Sequence, residues 1–498
     1  MTLPRAWVTV LALALAAGVP ATVASAESRA KYGGTLEASL AGDARVSDPV
    51  AVRSPADLTL HGLLHEALYR SAADGPLPTL ASAPPVFETA LRVRISLRAE
   101  LTFHDGTPIT VADAVASLER LRTSAQGWLI GTVASVRADA GTILLTLMQP
   151  TPNLAALLAL PQAAITPGGR APLADAPVGA GPFSWGSRDQ QRRFIELKAF
   201  DTYVGQRAYV DKLRLHWFVA SDAEARRFEA GAAHISLRGA TAFSGAAPKF
   251  VSVPQDSPPL SLTYIGFGPR HGLTQQVVFR RAVDLGIARS GFAALGGGEK
   301  ITATHIPLAA STAAGPAAAG QFAGDIAAAR REFARAAKWS ERAPTLSSVE
   351  ILIDATALDD REIAERVVRV LDQLGVVATV VAVDAATFQE RLAKQTYDLY
   401  IGQLVLPATL APLWWTASFA LAGVRRSESA ATLAALFSKE LPIVPLFHRS
   451  VRAWVRNDAQ GAAFDGLARL SLDDVSVVGL PVKATKATTP VSAAKDTP

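Results

Sequence analysis

The chain has no cysteine, only two methionines and just 19% charged residues among 498. The missing cysteines exclude disulfides, thiolate zinc sites, cysteine-ligated iron–sulfur clusters and cysteine nucleophiles together. They also exclude a lipid anchor on an N-terminal cysteine. A strong charge of one sign is missing too: 49 basic against 44 acidic residues leave a net +5. Although the isoelectric point is about 9.4, that charge is spread thinly and no long basic cluster occurs, so no nucleic-acid partner is expected. No internal repeat of 20–50 residues marks a solenoid or propeller. No G-x-S-x-G elbow, phosphate-binding G-x-x-x-x-G-K, dinucleotide fingerprint or H-E-x-x-H is found. Gly296-Gly297-Gly298-Glu299-Lys300 lacks the Walker spacing and reads as a flexible loop. What is present is apolar bulk. Hydrophobic residues make up 49%, mean hydropathy is +0.22, and at ~150 residues per domain the length allows two to four domains with large cores.

The first residues carry a compartment signal. Arg5 is followed by an uncharged, mostly apolar or small run from Ala6 to Val19, then Pro20 and the small-x-small triplet Ala24-Ser25-Ala26. This is the three-part pattern of a secretory signal peptide cut after Ala26. The apolar run falls short of the ~20 residues of a membrane span, and no later segment offers eighteen uninterrupted apolar residues. The expectation is an exported mature chain of 472 residues, periplasmic and not a lipoprotein, whose stability rests on core size.

Periodicity predicts a mixed α/β chain. Tyr32–Leu40 reads as a strand behind a glycine pair, and Asp57–Leu68 as a helix with Leu58, Leu60, Leu63, Leu64 and Leu68 on its apolar positions. Leu91–Leu97 alternates as a half-buried strand. Phe103-His104-Asp105-Gly106-Thr107-Pro108 is turn chemistry, and Thr110 caps the helix that follows. The Pro- and Gly-rich stretch 167–182 reads as a crossing between lobes. Strands at Phe194–Leu197 and Lys212–Phe218, a helix from Ser221 and a short strand at His234–Leu237 follow. The clearest block is a βαβαβ layer from Ser347 to Gly402: strand 349–353, helix 359–374, strand 376–383 covered on both faces, a helix capped by Asp384, and strand 397–401. Ile326–Ala337 is an amphipathic helix, and the Thr-, Ala- and Pro-rich end after Lys483 a disordered tail.

Chemistry-bearing clusters are few. His61 and His65 share a helical face and could chelate a metal, but no third ligand is well placed, so a partly exposed pair flanking the buried stripe is the simpler reading. His104 is expected to hydrogen-bond its own turn. Asp359/Asp360 and Asp473/Asp474 sit where solvated capping residues are expected. Adjacent Trp414 and Trp415 point in different directions, so one ring is expected in the core and the other toward a cavity. A large exported α/β chain without a catalytic constellation points to binding rather than catalysis.

Eight segments in order resemble one family. They are Gly33-Gly34-Thr35-Leu36 with Ser47-Asp48-Pro49, Leu64–Leu68, Phe103–Pro108 with Thr110–Asp113, Pro177–Phe183, Phe200–Tyr203 with Gly205, Phe279–Ala282, Leu371–Val380 and Pro442–Leu446. Together the chain resembles the extracytoplasmic solute-binding proteins of ABC importers, family 5, the peptide/nickel-binding type. The resemblance implies an α/β, two-lobed periplasmic-binding-protein fold (type II, large cluster C-like) with an accessory domain. The expected partition is signal peptide 1–26; lobe I from 27–58, 175–265 and 450–482; accessory domain 59–174; lobe II 266–449; tail 483–498. It implies a non-enzymatic monomer without cofactors. A peptide or small-molecule solute is enclosed between the lobes, and ABC permease and ATPase subunits are its partners.

On this resemblance Glu66, Tyr264, Gln403, Trp414 and Trp415 are the candidate ligand-binding residues. Peptide-binding relatives usually carry an acidic residue after the strand ending near Gly402. Here Gln403–Thr409 has no carboxylate, which argues against a buried ammonium at that point. The stretch from Gly402 to Pro442, 40 positions, is also short, and Ala288 stands where an acid is usual. The implied function is capture of a peptide or peptide-like solute. Its alternatives are a metal chelate or other small organic solute, with His61, His65 or His448 involved, and a scaffold or sensor protein with a degenerate cleft.

Overall fold

The structure, a computed structural model, describes residues 32–478 except 41–47, 52–54, 73–74, 219–220, 238–246, 251, 271, 296–300, 308–321, 341–347, 356, 358, 407–409, 427 and 468. The signal peptide, the Gly296–Lys300 loop and the tail lie outside the described residues.

One mixed sheet of eleven strands organises the chain. Ala378–Val383, Val349–Asp354 and Leu399–Val405 run parallel at one end. Thr35–Ser39, Lys212–His216 and Ile235–Ser236 run parallel toward the other. Two long strands join these halves. Ser252–Phe267 pairs with Leu399–Val405 through its last seven residues and with Ile443–Arg456 along most of its length. Ile443–Arg456 in turn pairs with Ile235–Ser236 through Trp454 and Val455. Their register breaks at Asp256/Pro259 and Pro259/Ser261, where Pro258 and Pro259 have no N–H for the ladder.

The expectation that 167–182 crosses between lobes is therefore corrected. That stretch packs on the helices. Gly168 N–H bonds the Asp113 carboxylate at 2.7 Å, and Gly179 and Gly181 lie against Leu63–His65. The crossing belongs to the two long strands.

A second, antiparallel sheet of Val86–Thr89, Arg92–Ile95, Thr142–Leu147 and Val133–Asp139 carries the helix Val111–Thr123. The capping box foreseen at Thr110 is present: its hydroxyl accepts from Asp113 N–H, and the Asp113 carboxylate accepts from Thr110 N–H at 2.8 Å. The βαβαβ layer forms with helix Asp360–Gln373, stopped at Gly375 with φ +80°. Its Ala378–Val383 strand is an edge strand with no buried residue, rather than one covered on both faces. An all-apolar run is compatible with either position because periodicity does not report how many neighbours a strand has. Helix Pro55–Leu64 ends before the expected Leu68. There the chain leaves to pair: Leu68 C=O accepts from Thr79 and Ala81 N–H. The cores follow this architecture. One apolar cluster fills the half around Thr35–Ser39, and a larger one runs through the antiparallel sheet and the 262–447 segment.

Candidate functional site

In open parallel sheets ligands bind beyond the carboxyl ends of the strands. Here the parallel strands Val349–Asp354 and Leu399–Val405 point their carboxyl ends the same way. Their pairing is Ile351↔Leu399 and Leu352↔Tyr400, so Gln403–Val405 extend past Asp354 with no strand beside them on that side among the described residues. Gln403 is exposed, opposite the buried Thr263 of the crossing strand.

Charged groups gather at this end. The Arg449 guanidinium on Ile443–Arg456 donates to the Asp359 carboxylate at 2.5 Å. Asp360 is buried, and one of its oxygens has no hydrogen-bond partner among the described residues. Burial first, then the charges of Asp354 and Asp359, push its carboxyl up to about 7. Asp359 and Asp360, expected as solvated caps, are thus half-buried and buried. A cap motif shows a helix start but not what lies over it.

Five residues after the strand, helix Ala411–Leu421 begins. It has no polar face, as in a helix enclosed on all sides. Trp414 is fully buried, edge-on to His448 with ring centroids 4.9 Å apart. Trp415 lies edge-on to Phe437 at 5.4 Å. Both rings are buried, so neither faces an open cavity, contrary to the expectation from the sequence. The helix passes against the turn Gly127–Ile130 of the antiparallel-sheet region, whose Leu129 and Ile130 are buried in the same cluster. This contact has no sequence signal, since nothing in a short Gly-Trp-Leu-Ile run names a partner almost 300 residues away. Near the strand crossing, Leu58 packs with Leu260, Val405 and Val451. Two cavities, of about 370 and 290 Å³, open elsewhere: one beside Asp284 and His305, the other beside Arg98 and Thr202.

The other candidates are structural in their contacts. Glu66 is buried and accepts from Tyr203 O–H at 2.5 Å, Ala67 N–H at 3.0 Å and Thr79 O–H at 3.4 Å. Desolvation raises its pKa, opposed by Tyr203, Arg469 and Arg70. Tyr203→Phe leaves this carboxylate short of its closest donor and should cost about 2 kcal/mol, read as a lower midpoint in urea. An unchanged midpoint would show that the bond contributes nothing. Tyr264 is buried, its hydroxyl 3.1 Å from that of Tyr400. Its ring crosses Gly402, where an added Cβ would stand 2.4 Å from Cζ. His61 and His65 stack at 5.4 Å and are both buried, not partly exposed as expected, because the Gly179–Gly181 segment packs against Leu63–His65. Burial lowers His61 to about 4 and His65 well below its ordinary value. Among the described residues no group of three His, Cys, Asp or Glu is placed to hold a metal.

His104 differs from expectation in an informative way. Its ring bonds the second motif instead of its own turn. Nδ1 accepts from Gly179 N–H at 3.2 Å, and Nε2 donates to Gly181 C=O at 3.0 Å. The Phe103–Pro108 and Pro177–Phe183 segments, separate in sequence, are one structural unit.

The model of the bacterial extracellular solute-binding proteins, family 5 (its middle region), matches residues 75–419. The chain belongs to this family. Its members are binding proteins of ABC importers, and the two-lobed architecture recurs in solved structures whose low identity shows the fold alone. The binding protein AgaA of A. tumefaciens R10, in complex with agropinic acid, is 20% identical with a TM-score of 0.72, over 89% of this chain and 99% of that one. Bacillus subtilis AppA, solved with a nonapeptide, is 17% identical at TM-score 0.71, over 90% and 100%. Staphylococcus aureus NikA, with Ni(L-His)2, is 13% identical at 0.69, over 89% and 99%. A sequence relative, the HTH-type transcriptional regulator SgrR of Photorhabdus laumondii, is 32% identical over 135 residues. The match spans 26% of this chain and only 23% of that regulator. No helix among the described residues is long and apolar enough to cross a membrane.

Proposed function

We propose that this family 5 protein captures a peptide or peptide-like solute between its two lobes and hands it to a membrane permease. The observation that carries the ligand class is the protruding end of Leu399–Val405. On the side facing Val349–Asp354, Gln403–Val405 offer backbone groups to an extended ligand, which could add there as a short strand. The exposed Gln403 amide can donate and accept beside it. Trp415 and Glu66 then support the walls from behind, and Tyr264 the strand itself. The lobes divide where the crossing strands break register, near 256–261 and 449–452, which refines the partition expected from the sequence. The signal-peptide pattern of residues 1–26 supports export to a periplasm, without a lipid anchor. AppA in its nonapeptide complex is consistent with the peptide reading. NikA, with its nickel–histidine complex, makes a metal chelate the competing class.

Melting curves over a panel of di- to pentapeptides and a nickel–histidine chelate test this. A binder at 100 times its Kd should add ~2.7 kcal/mol to stability. Gln403→Ala should weaken a peptide binder roughly three- to tenfold, the worth of one or two neutral hydrogen bonds. If no panel member shifts the curve and native mass spectrometry finds no co-purified solute, the proposal fails. A shift by the chelate alone would move the assignment to that class.

A further inference from the structure

His104, His61 and His65 meet where three parts of the chain join: the Phe103–Pro108 turn beside the antiparallel sheet, helix Pro55–Leu64 with its exit, and the Pro177–Phe183 entry to the main sheet. The joint is close-packed. A Cβ on Gly179 would stand 2.0 Å from Leu64 C=O and 2.7 Å from His65 Nδ1. His104 N–H donates to Gly179 C=O at 2.8 Å, and Gly181 N–H to Leu64 C=O at 3.0 Å.

Two features of this joint require neutral imidazoles. Because Gly179 N–H is a donor, His104 Nδ1 must be the acceptor, so its only ring proton is on Nε2, where it meets Gly181 C=O. A second proton would set one N–H against another. His65 is buried, and neither of its ring nitrogens has a hydrogen-bond partner among the described residues. A charge there would be desolvated and unmatched. Charged and titratable groups face each of the three rings. Asp105 faces His104, and Asp48 faces His61. His61, His104 and Arg120 face His65. Asp48, beside His61, is ion-paired with Arg120.

We propose that this histidine joint is a pH-sensitive coupling: mild acid opens it and frees the antiparallel-sheet region from the main sheet. The sign follows from the geometry. The closed joint binds fewer protons than the open one, so falling pH favours opening. All three histidines have lowered pKa values in the closed form. His61 alone, with about 4 closed against an ordinary 6.5, multiplies the open population about thirtyfold between pH 7.5 and 5.0. Opening would also withdraw the Gly127–Ile130 turn from helix Ala411–Leu421, coupling acidity to closure of the lobes.

Hydrogen–deuterium exchange of the full-length protein at pH 7.5 and 5.0, corrected for intrinsic rates, tests this. Peptides covering 101–109 and 177–183 should show a hundredfold or greater rise in opening, the His61 share multiplied by those of His65 and His104, while those covering Val349–Asp354 stay protected. A change below twofold in the joint, or an equal rise in Val349–Asp354, overturns it, the latter because the whole molecule would then be unfolding. Two variants sharpen the result. His104→Gln keeps an acceptor and a donor without titrating, and His65→Leu removes a ring that bonds nothing. Each should fold at pH 7.5 and lessen the rise several-fold. Retention of the full wild-type rise in the double variant would also overturn the proposal. The wild-type comparison stands by itself if either variant fails to fold.

Discussion

Gly179→Ala should be among the most damaging single substitutions in this protein. The new methyl would stand 2.0 Å from Leu64 C=O and 3.0 Å from Leu64 C. Backbone cannot give way as a side-chain end can, so the two segments must separate. That separation breaks the His104 bonds to Gly179 and Gly181 as well. Overpacking alone costs about 1–3 kcal/mol, and each buried group left without its partner adds about 1–3 kcal/mol. A loss of at least about 3 kcal/mol in urea unfolding is expected. Gly181→Ala should behave similarly, since its Cβ would meet Leu63 C=O at 2.4 Å. A loss below about 1 kcal/mol in both variants would mean that the segments do not meet as described.

Trp414→Ala is the second large effect. The side chain is fully buried on a helix without a polar face. Its removal leaves a cavity beside His448 and should cost about 3–5 kcal/mol. Trp414→Phe should be much milder, because the indole N–H it deletes has no hydrogen-bond partner among the described residues. The two variants together separate packing from polar loss. Equal destabilisation by Ala and Phe would contradict the packing account. Trp414→Ala should also weaken the contact between helix Ala411–Leu421 and the Gly127–Ile130 turn, so its ligand affinity is expected to fall with its stability.

The parts of this architecture legible in the sequence were those with local causes. Helix Asp360–Gln373 announced itself by its apolar stripe and terminal glycine, and helix Val111–Thr123 by the Thr110 cap. The ordered motifs pointed to the family because each is a short local segment, a turn, a helix end or a strand start. Partnership was not legible. His104 looked like a turn residue because its real partners, Gly179 and Gly181, lie more than 70 positions away. The Pro- and Gly-rich 167–182 stretch looked like a hinge because those residues mark turns and close approaches alike. Here close approach prevailed, and the crossing fell to two strands whose composition is unremarkable apart from Pro258 and Pro259. Within the candidate site, Gln403, expected just past a strand ending near Gly402, lies within Leu399–Val405 and is exposed there, whereas Glu66 and Tyr264 have their polar atoms engaged within the protein. Arg449 and Asp360 were missed because their importance arises only once strand ends and a helix start are brought together.

The central claim is that the lobes close on a solute about the paired strands Ser252–Phe267 and Ile443–Arg456. The absence of cysteine makes one measurement clean. Lys198 is exposed on strand Phe194–Ala199 of one half of the sheet, and Lys394 at the end of helix Ala385–Ala393, which packs on Val349–Asp354 of the other; spin labels on cysteines placed at both report the distance between the halves by pulsed electron resonance. A ligand shifts such an equilibrium only by binding one state better. The account predicts a broad distribution in the absence of solute that narrows to a single shorter distance with a peptide that raises the melting temperature. A distribution unchanged by every such peptide, and by the nickel–histidine chelate, would contradict it.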